Sequence, residues 1–131
     1  MQNMNGKTAL GLDANVGALI CYLGNLVCAL GLIYSIIVLV TDKTNKLPRF
    51  HAMQSILLTA VGVVIGIVVQ IFIGVLVAAT NSTALALLGT LVYLVFALAL
   101  FGAVIFAAIK AFQGQIFKLP IIGNLADQWS N

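Results

Sequence analysis

Three long apolar runs, separated by short polar stretches, account for most of the chain. They cover about residues 15–40, 52–79 and 84–109, and none of them contains Asp, Glu, Lys or Arg. Each run exceeds the ~20 residues that a helix needs to cross about 30 Å of hydrocarbon. Because a backbone in lipid must satisfy its own hydrogen bonds, the pattern predicts helices. We therefore expect an all-α integral membrane protein with three transmembrane helices in a single membrane domain, 1-131.

The segment after the third run differs from the runs and from an ordinary polar tail. Within residues 110–131, Gly114, Pro120 and Gly123 interrupt the sequence too often for a fourth span. Phe112 and Trp129 alternate there with Lys and Gln, a mixture typical of the headgroup region of a bilayer. We predict a C-terminal interfacial segment that lies along one face of the membrane.

Composition and charge agree with a membrane protein and suggest an orientation. Hydrophobic residues make up 63% of the chain and charged residues 7%, where about 25% is usual in soluble domains. No basic stripe suited to nucleic acid is present. With three spans, the loop 41–49 and the segment 110–131 share one side, and that side holds every basic residue except Lys7. The positive-inside rule then predicts a cytoplasmic C-terminus and an N-terminus outside.

Small residues recur at helical spacing and predict close packing between helices. On the first run they form one helix face, called a seam, of Gly17, Cys21, Gly24, Cys28 and Gly31. On the second run they form a ridge of Gly62, Gly66, Gln70 and Gly74, in which Gln70 is the one amide. Such seams let helices approach in lipid. Internal packing is our first interpretation, and contact with another protein is the alternative for the Gly62/Gly66 face. The two cysteines lie about 10 Å apart along a helix, too far for a disulfide, so we interpret them as packing thiols.

The stretch RFHAMQS at the start of the second run is the main candidate for chemistry. His51, Gln54 and Ser55 share one helix face. They suit a structural hydrogen-bond network, or a metal or porphyrin ligand at His51. Asn25 and Gln70 suit interhelical hydrogen bonds, or the lining of a path. All three acidic residues lie outside the runs and no nucleophile motif occurs, so we expect no catalytic residue, no metal site and no enzyme activity.

The order of the motifs NVGALICYLG, LPRFHAMQS and IKAFQGQIFKLPIIGNLA resembles a family of small bacterial membrane proteins of unknown function. That family is distantly similar to the twenty-kilodalton component of the chloroplast inner-envelope (Tic) translocon. The resemblance covers about residues 12–127 and implies a helical protein of the bacterial cytoplasmic (inner) membrane. It singles out two groups as a structural clamp between tail and second helix: Arg49, Phe50, His51, Gln54 and Ser55, with Lys118, Pro120 and Gly123.

These observations favour a non-enzymatic accessory or assembly subunit of a membrane protein complex. Its partners would be the lipid bilayer and either other membrane subunits or further copies of itself, with no nucleic acid and no cofactor. One alternative, implied by the resemblance, is an oligomeric conduit or a component of protein translocation. A second alternative is a pigment- or haem-binding subunit through His51.

Overall fold

The part of the chain that the structure describes forms five α-helices. The computed structural model describes residues 6–8, 10–24, 30–43 and 45–130. The helices are α1 (Ala14–Leu23), α2 (Leu30–Thr41), α3 (Lys46–Thr80), α4 (Thr83–Phe112) and α5 (Ile122–Trp129). The chain divides into two compact units: a head unit, Met1–Thr59 with Ala103–Asn131, and a hairpin unit, Ala60–Gly102.

The first apolar run does not form one long helix. Within it, α1 has 10 residues and α2 has 12, lengths of about 15 and 18 Å that are well short of the hydrocarbon thickness. A Cβ atom built on Gly24 would lie 2.6 Å from the Cα atom of Gly31. No larger residue than glycine fits at position 24, and the two helices lie against each other as a pair. The predicted count of three spans is not confirmed.

Small side chains bring the helices of the head unit close together. Its main core joins α1, α3 and α4 through Ala14, Ala18, Tyr22, Leu47, Ala107, Ala108 and Ala111. A smaller cluster of Cys21, Val38 and Ala52 joins α1 and α2 to α3. The alanines leave room for one large ring, and Tyr22 is completely buried among them. The core therefore holds the tyrosine hydroxyl in a fixed position.

Four helix ends meet at one end of the head unit. The Asn15 side-chain amide donates to the carbonyl oxygen of Phe112 at 2.9 Å, which joins the start of α1 to the end of α4. Arg49 donates to the carbonyl oxygens of Leu39 and Asp42 at 2.6 and 2.8 Å, which joins α3 to the end of α2. The start of α1 and the C-terminal segment thus lie at the same end. In the head unit, α2 returns the chain to the end at which α1 begins.

The hairpin unit consists of the second part of α3 and the first part of α4. Asn81, with φ of 50°, forms the turn between them. Gly62 faces Leu100 and Gly89 faces Ile73, so the two helices run antiparallel. Both α3 and α4 are long and apolar enough to cross a membrane, and most of their large apolar side chains in this unit are exposed. The second and third predicted helices are thus present, with α3 six residues longer at its start than the predicted span.

Candidate functional site

A chain of buried hydrogen bonds connects α1, α3 and the segment after α4. The Nε2 atom of His51 lies 2.8 Å from the carbonyl oxygen of Gln115, and its Nδ1 atom lies 2.7 Å from the hydroxyl of Tyr22. Since a carbonyl oxygen only accepts, Nε2 carries the proton and Nδ1 of the neutral ring accepts from the tyrosine. The rings of Tyr22 and Phe50 both meet the imidazole edge to face, with centroids 5.4 and 5.1 Å away. The imidazole is thereby fixed in one tautomer and one orientation.

Gln54, one turn further along α3, extends the same network. Its side-chain nitrogen donates to the hydroxyl of Tyr22 at 2.8 Å and to the carbonyl oxygen of Phe117 at 3.0 Å. Its oxygen accepts from the backbone N–H of Leu119 at 3.0 Å. Both amide protons and the oxygen are therefore bonded, and residues 115–119 run alongside α3 without regular secondary structure.

Two more side chains of α3 attach to other elements. The hydroxyl of Ser55 donates to the carbonyl oxygen of Cys21 at 2.6 Å, close to the end of α1. The Nε atom of Arg49 donates to the carbonyl oxygen of Ser130 at 2.8 Å, just after α5. Charge-assisted bonds from a buried guanidinium are stronger than neutral ones. Arg49 therefore connects the start of α3 to both α2 and α5.

A carboxylate on α5 lies between two lysines. Asp127 accepts from Lys118 at 2.8 Å and from Lys46 at 2.7 Å. The bonds from Lys118 and then from Lys46 hold the pKa of Asp127 below its usual value, because they stabilise the charged carboxylate. Lys46 also donates to the backbone oxygen of Asp127 at 3.1 Å. The first residue of α3 is thus bonded twice to α5.

The stretch KLPIIG makes a tight turn before α5. The N–H of Ile122 donates to the carbonyl oxygen of Pro120 at 2.7 Å, and Ile121 between them has φ of 67° and ψ of −58°. This is a γ-turn of the rare strained kind, in a region that β-branched residues avoid. A Cβ atom at Gly123 would fall 2.5 Å from the Cα atom of Lys118, so no larger residue fits there.

All eight residues of the predicted clamp belong to the head unit. Five of them lie on α3 and three lie in the KLPIIG stretch. Tyr22, whose hydroxyl lies at the centre of the network, was not predicted from the sequence, and neither were the backbone acceptors at Gln115 and Phe117. A lone tyrosine inside an apolar run was the available signal for Tyr22. Backbone acceptors leave no such signal, because any residue type provides one.

The predicted packing residues fall into three groups. Gly17, Cys21, Gly24 and Gly31 lie in the head unit, where Gly17 faces Thr8 and Tyr34, and the buried Cys21 thiol donates to the Gly17 carbonyl oxygen at 3.4 Å. In the hairpin unit, Gly62 and Gly66 face α4. Gln70 and Gly74 instead border an open groove. Cys28 and Asn25 lie outside the described residues.

The hydrogen bonds of His51 limit the binding of a metal or a haem in the head unit. Both ring nitrogens of His51 already lie at hydrogen-bond distance from protein atoms, so a metal or haem iron would have to displace Tyr22 or Gln115. Within the described ranges, no three His, Cys, Asp or Glu side chains are grouped as metal ligands. The network therefore binds parts of its own chain to one another.

An apolar helical hairpin joined to a head with a hydrogen-bonded polar interior defines a small helical membrane protein. The model of the magnetosome magnetite crystal formation family, MamF/MmsF, matches residues 13–126, and the chain belongs to this family. The chain is 34% identical to a UPF0132 membrane protein of Methanocaldococcus jannaschii, over 95% of this chain and 96% of that one. A second UPF0132 membrane protein of the same organism is 29% identical, over 92% of this chain and 73% of its own length. No solved structure matches significantly.

The comparisons confirm a small membrane protein in contact with the lipid bilayer. Similarity to the plastid translocon component stays a prediction, as do the bacterial inner membrane and the orientation.

Proposed function

We propose that this protein is a non-enzymatic accessory subunit that assembles with other membrane proteins through its hairpin unit. The observation that carries the proposal is a groove on that apolar unit whose lining includes several polar side chains. The groove has a volume of about 690 Å³, and its lining includes Gln70, Gly74, Thr90 and Tyr93. Residues 60–102 contain no charged side chain. An amide exposed there gains most from a partner that can hydrogen-bond with it, since lipid tails cannot.

The shape of the groove also suits a second helix. A Cβ atom added at Gly74 would meet no atom within 4 Å, so the backbone of α3 is accessible there. By contrast, Gly66 is covered by the Tyr93 and Phe96 side chains of α4. Close backbone approach at small residues is the usual basis of helix association in membranes. The open half of the glycine ridge therefore favours an intermolecular contact.

The head unit supports a structural role in this proposal. His51, Gln54 and Arg49 use their polar atoms to bind the chain's own backbone and Tyr22. We interpret this network as a clamp that fixes the tail and α1 against α3. A head held in this way gives the subunit a constant shape. A scaffold requires such a shape, whereas substrate turnover would disturb it.

The description of the family concerns magnetite crystal formation in magnetosomes. For this chain we favour a contribution through membrane organisation over direct contact with mineral. Its three carboxylates are engaged internally: Asp13 pairs with Lys7, Asp42 accepts from the N–H of Asn45, and Asp127 pairs with two lysines. They are therefore not arranged as a free acidic face.

We also propose that the N-terminal segment and the tail share the cytoplasmic side. All six basic residues belong to the head unit, and the turn between α3 and α4 carries none. Two spanning helices with a paired α1 and α2 satisfy the positive-inside rule with every basic residue on one side. Reporter tags at the two termini test this. Labelling both tags only after the cytoplasmic face is opened supports it, and labelling the N-terminal tag in intact cells contradicts it.

The assembly proposal is tested by mild-detergent purification of tagged protein, followed by native gels and mass spectrometry. Recovery in a fixed ratio with other membrane proteins is the expected result. Gly74→Leu should fill the groove and abolish that recovery. Gly102→Leu is the matched control, because a Cβ atom added there also meets no atom within 4 Å. Equal recovery with both variants would rule out the groove, and recovery of a uniform homo-oligomer would replace the accessory role by self-assembly.

A further inference from the structure

The faces of α5 differ in a way that the proposed assembly role does not explain. Its buried face consists of small residues, Gly123 and Ala126. Its exposed residues form two sectors, and consecutive residues are separated by about 100° around the axis. Asn124 and Gln128 form one sector and Leu125 with Trp129 the other, each pair one turn apart. A helix exposed only to water would be polar on both sectors.

The apolar sector is extended by the turn that precedes the helix. Ile121, in its strained γ-turn, has 81% of its surface exposed, and Trp129 has 56%. Together with Leu125, they make three exposed apolar residues, which we call the α5 stripe. The buried face, the polar sector and the apolar sector match the three surroundings of a helix that lies along a membrane surface beside a protein. These surroundings are protein, water and lipid.

Two other helix ends indicate the depth at which α5 lies. Val40 near the end of α2 is 62% exposed and Phe112 at the end of α4 is 51% exposed. Such side chains need an apolar surrounding as far as the ends of their helices. Arg49, which bonds the carbonyl oxygens of Leu39 and Ser130, joins the end of α2 directly to the end of α5. The stripe is therefore held where the apolar surface of the head unit ends.

The lysines and the tryptophan fit the same position. Lys46 and Lys118 hold α5 against the rest of the head unit through Asp127, and the half-exposed Lys118 lies on the water-facing side of that pair. Trp129 combines an apolar ring system with an N–H donor, the property that enriches Trp at membrane interfaces. We propose that the α5 stripe is buried in the bilayer interface, where α5 anchors the head unit to the lipid surface.

Trp129 is the only tryptophan in the chain and reports directly on this stripe. The full-length protein would be placed in nanodiscs of phosphatidylcholine and phosphatidylglycerol, whose two faces are both open to solvent. Lipids brominated at different acyl positions quench from within the bilayer, and iodide quenches from water. We expect blue-shifted emission, the strongest quenching by the shallowest bromines, and little quenching by iodide.

Two variants separate the stripe from the polar sector. Leu125→Ser should red-shift the emission, raise quenching by iodide and reduce quenching by shallow bromines. Gln128→Ser, on the polar sector, should leave all three unchanged. Strong quenching of the unmodified protein by iodide would overturn the proposal and assign the stripe to a water-facing partner site. Protection from both quenchers would overturn it too, because the stripe would then be covered by protein.

Discussion

The imidazole of His51 donates a hydrogen bond to the carbonyl oxygen of Gln115 across 64 residues of sequence. This bond connects the start of a long helix to a segment with no regular structure. Side chains of α3 reach its backbone at three residues, Gln115, Phe117 and Leu119. Its position depends on these side chains as well as on the packing of Phe117 against Phe106. Local stability there should therefore respond to single changes in α3.

Replacing His51 with Ala should release the tail. The change removes the bond to Gln115 and leaves the Tyr22 hydroxyl without its acceptor, at a cost of about 1–3 kcal/mol. Cleavage of residues 112–131 by a non-specific protease should become roughly tenfold faster, since about 1.4 kcal/mol is a factor of ten. Gln128→Ala on the exposed side of α5 serves as the control. Unchanged protection of these residues from the protease in the His51 variant would contradict the clamp.

Two tyrosines should respond oppositely to loss of the hydroxyl. Tyr22→Phe leaves His51 Nδ1 and one Gln54 proton unpaired inside the core, so we expect the free energy of unfolding to fall by about 1–3 kcal/mol. The Tyr34 hydroxyl is buried with no hydrogen-bond partner among the described residues, so Tyr34→Phe should be neutral or slightly stabilising. Thermal unfolding in one detergent compares the two variants. Equal losses of stability would contradict the assigned network.

Relief of the γ-turn should stabilise the tail. A residue in a sparsely populated backbone region costs about 1–3 kcal/mol, and glycine adopts positive φ without that cost. Ile121→Gly should therefore raise the stability of the detergent-solubilised protein by about 1 kcal/mol, after the entropic cost of glycine. Asn124→Gly, within α5, should lower stability by a few tenths of that amount. A loss of stability in the Ile121 variant would mean that its side chain contributes more than the strain costs.

Acid should loosen α5 at Asp127. Its pKa is lowered in the folded state by Lys118 and Lys46, so its stabilising contribution is present above the usual carboxyl range near pH ~4. That contribution falls as the pH drops through and below this range. Fluorescence anisotropy of Trp129, two residues away, should decrease in that window. Asp127→Asn should give a low anisotropy without this transition, and an identical transition in both proteins would assign it to another group.

The two long apolar helices could be predicted from the sequence, whereas the contacts between helices could be predicted only in part. Residues 52–79 and 84–109 lie inside α3 and α4 because an uninterrupted apolar run leaves the backbone one way to satisfy its hydrogen bonds. The run 15–40 has the same character, yet it contains two short helices. Its regular spacing of small residues resembles a packing face on one helix. In the structure Gly24 and Gly31 instead pack against each other, a contact that hydropathy does not encode.

The residues of the hydrogen-bond network were likewise predictable only in part. Arg49, His51, Gln54 and Ser55 were predictable as a group because they are polar side chains at helical spacing beside an apolar run. Tyr22 was not, since its hydroxyl matters only after α1 packs on α3. The backbone oxygens of Gln115 and Phe117 depend on the path of the tail, which is determined by the turn at Ile121 and by the absence of a side chain at Gly123.

The bond between Asn15 and Phe112 has a consequence for biosynthesis. The two residues are 97 positions apart, so at ~5–20 residues per second α1 leaves the ribosome about 5–20 s before its partner is made. During that interval α1 and α2 emerge as a short pair without the later helix against which they pack. The translocation machinery must therefore keep this pair beside the exit site, or release it to lipid and recover it, until α4 has been synthesised.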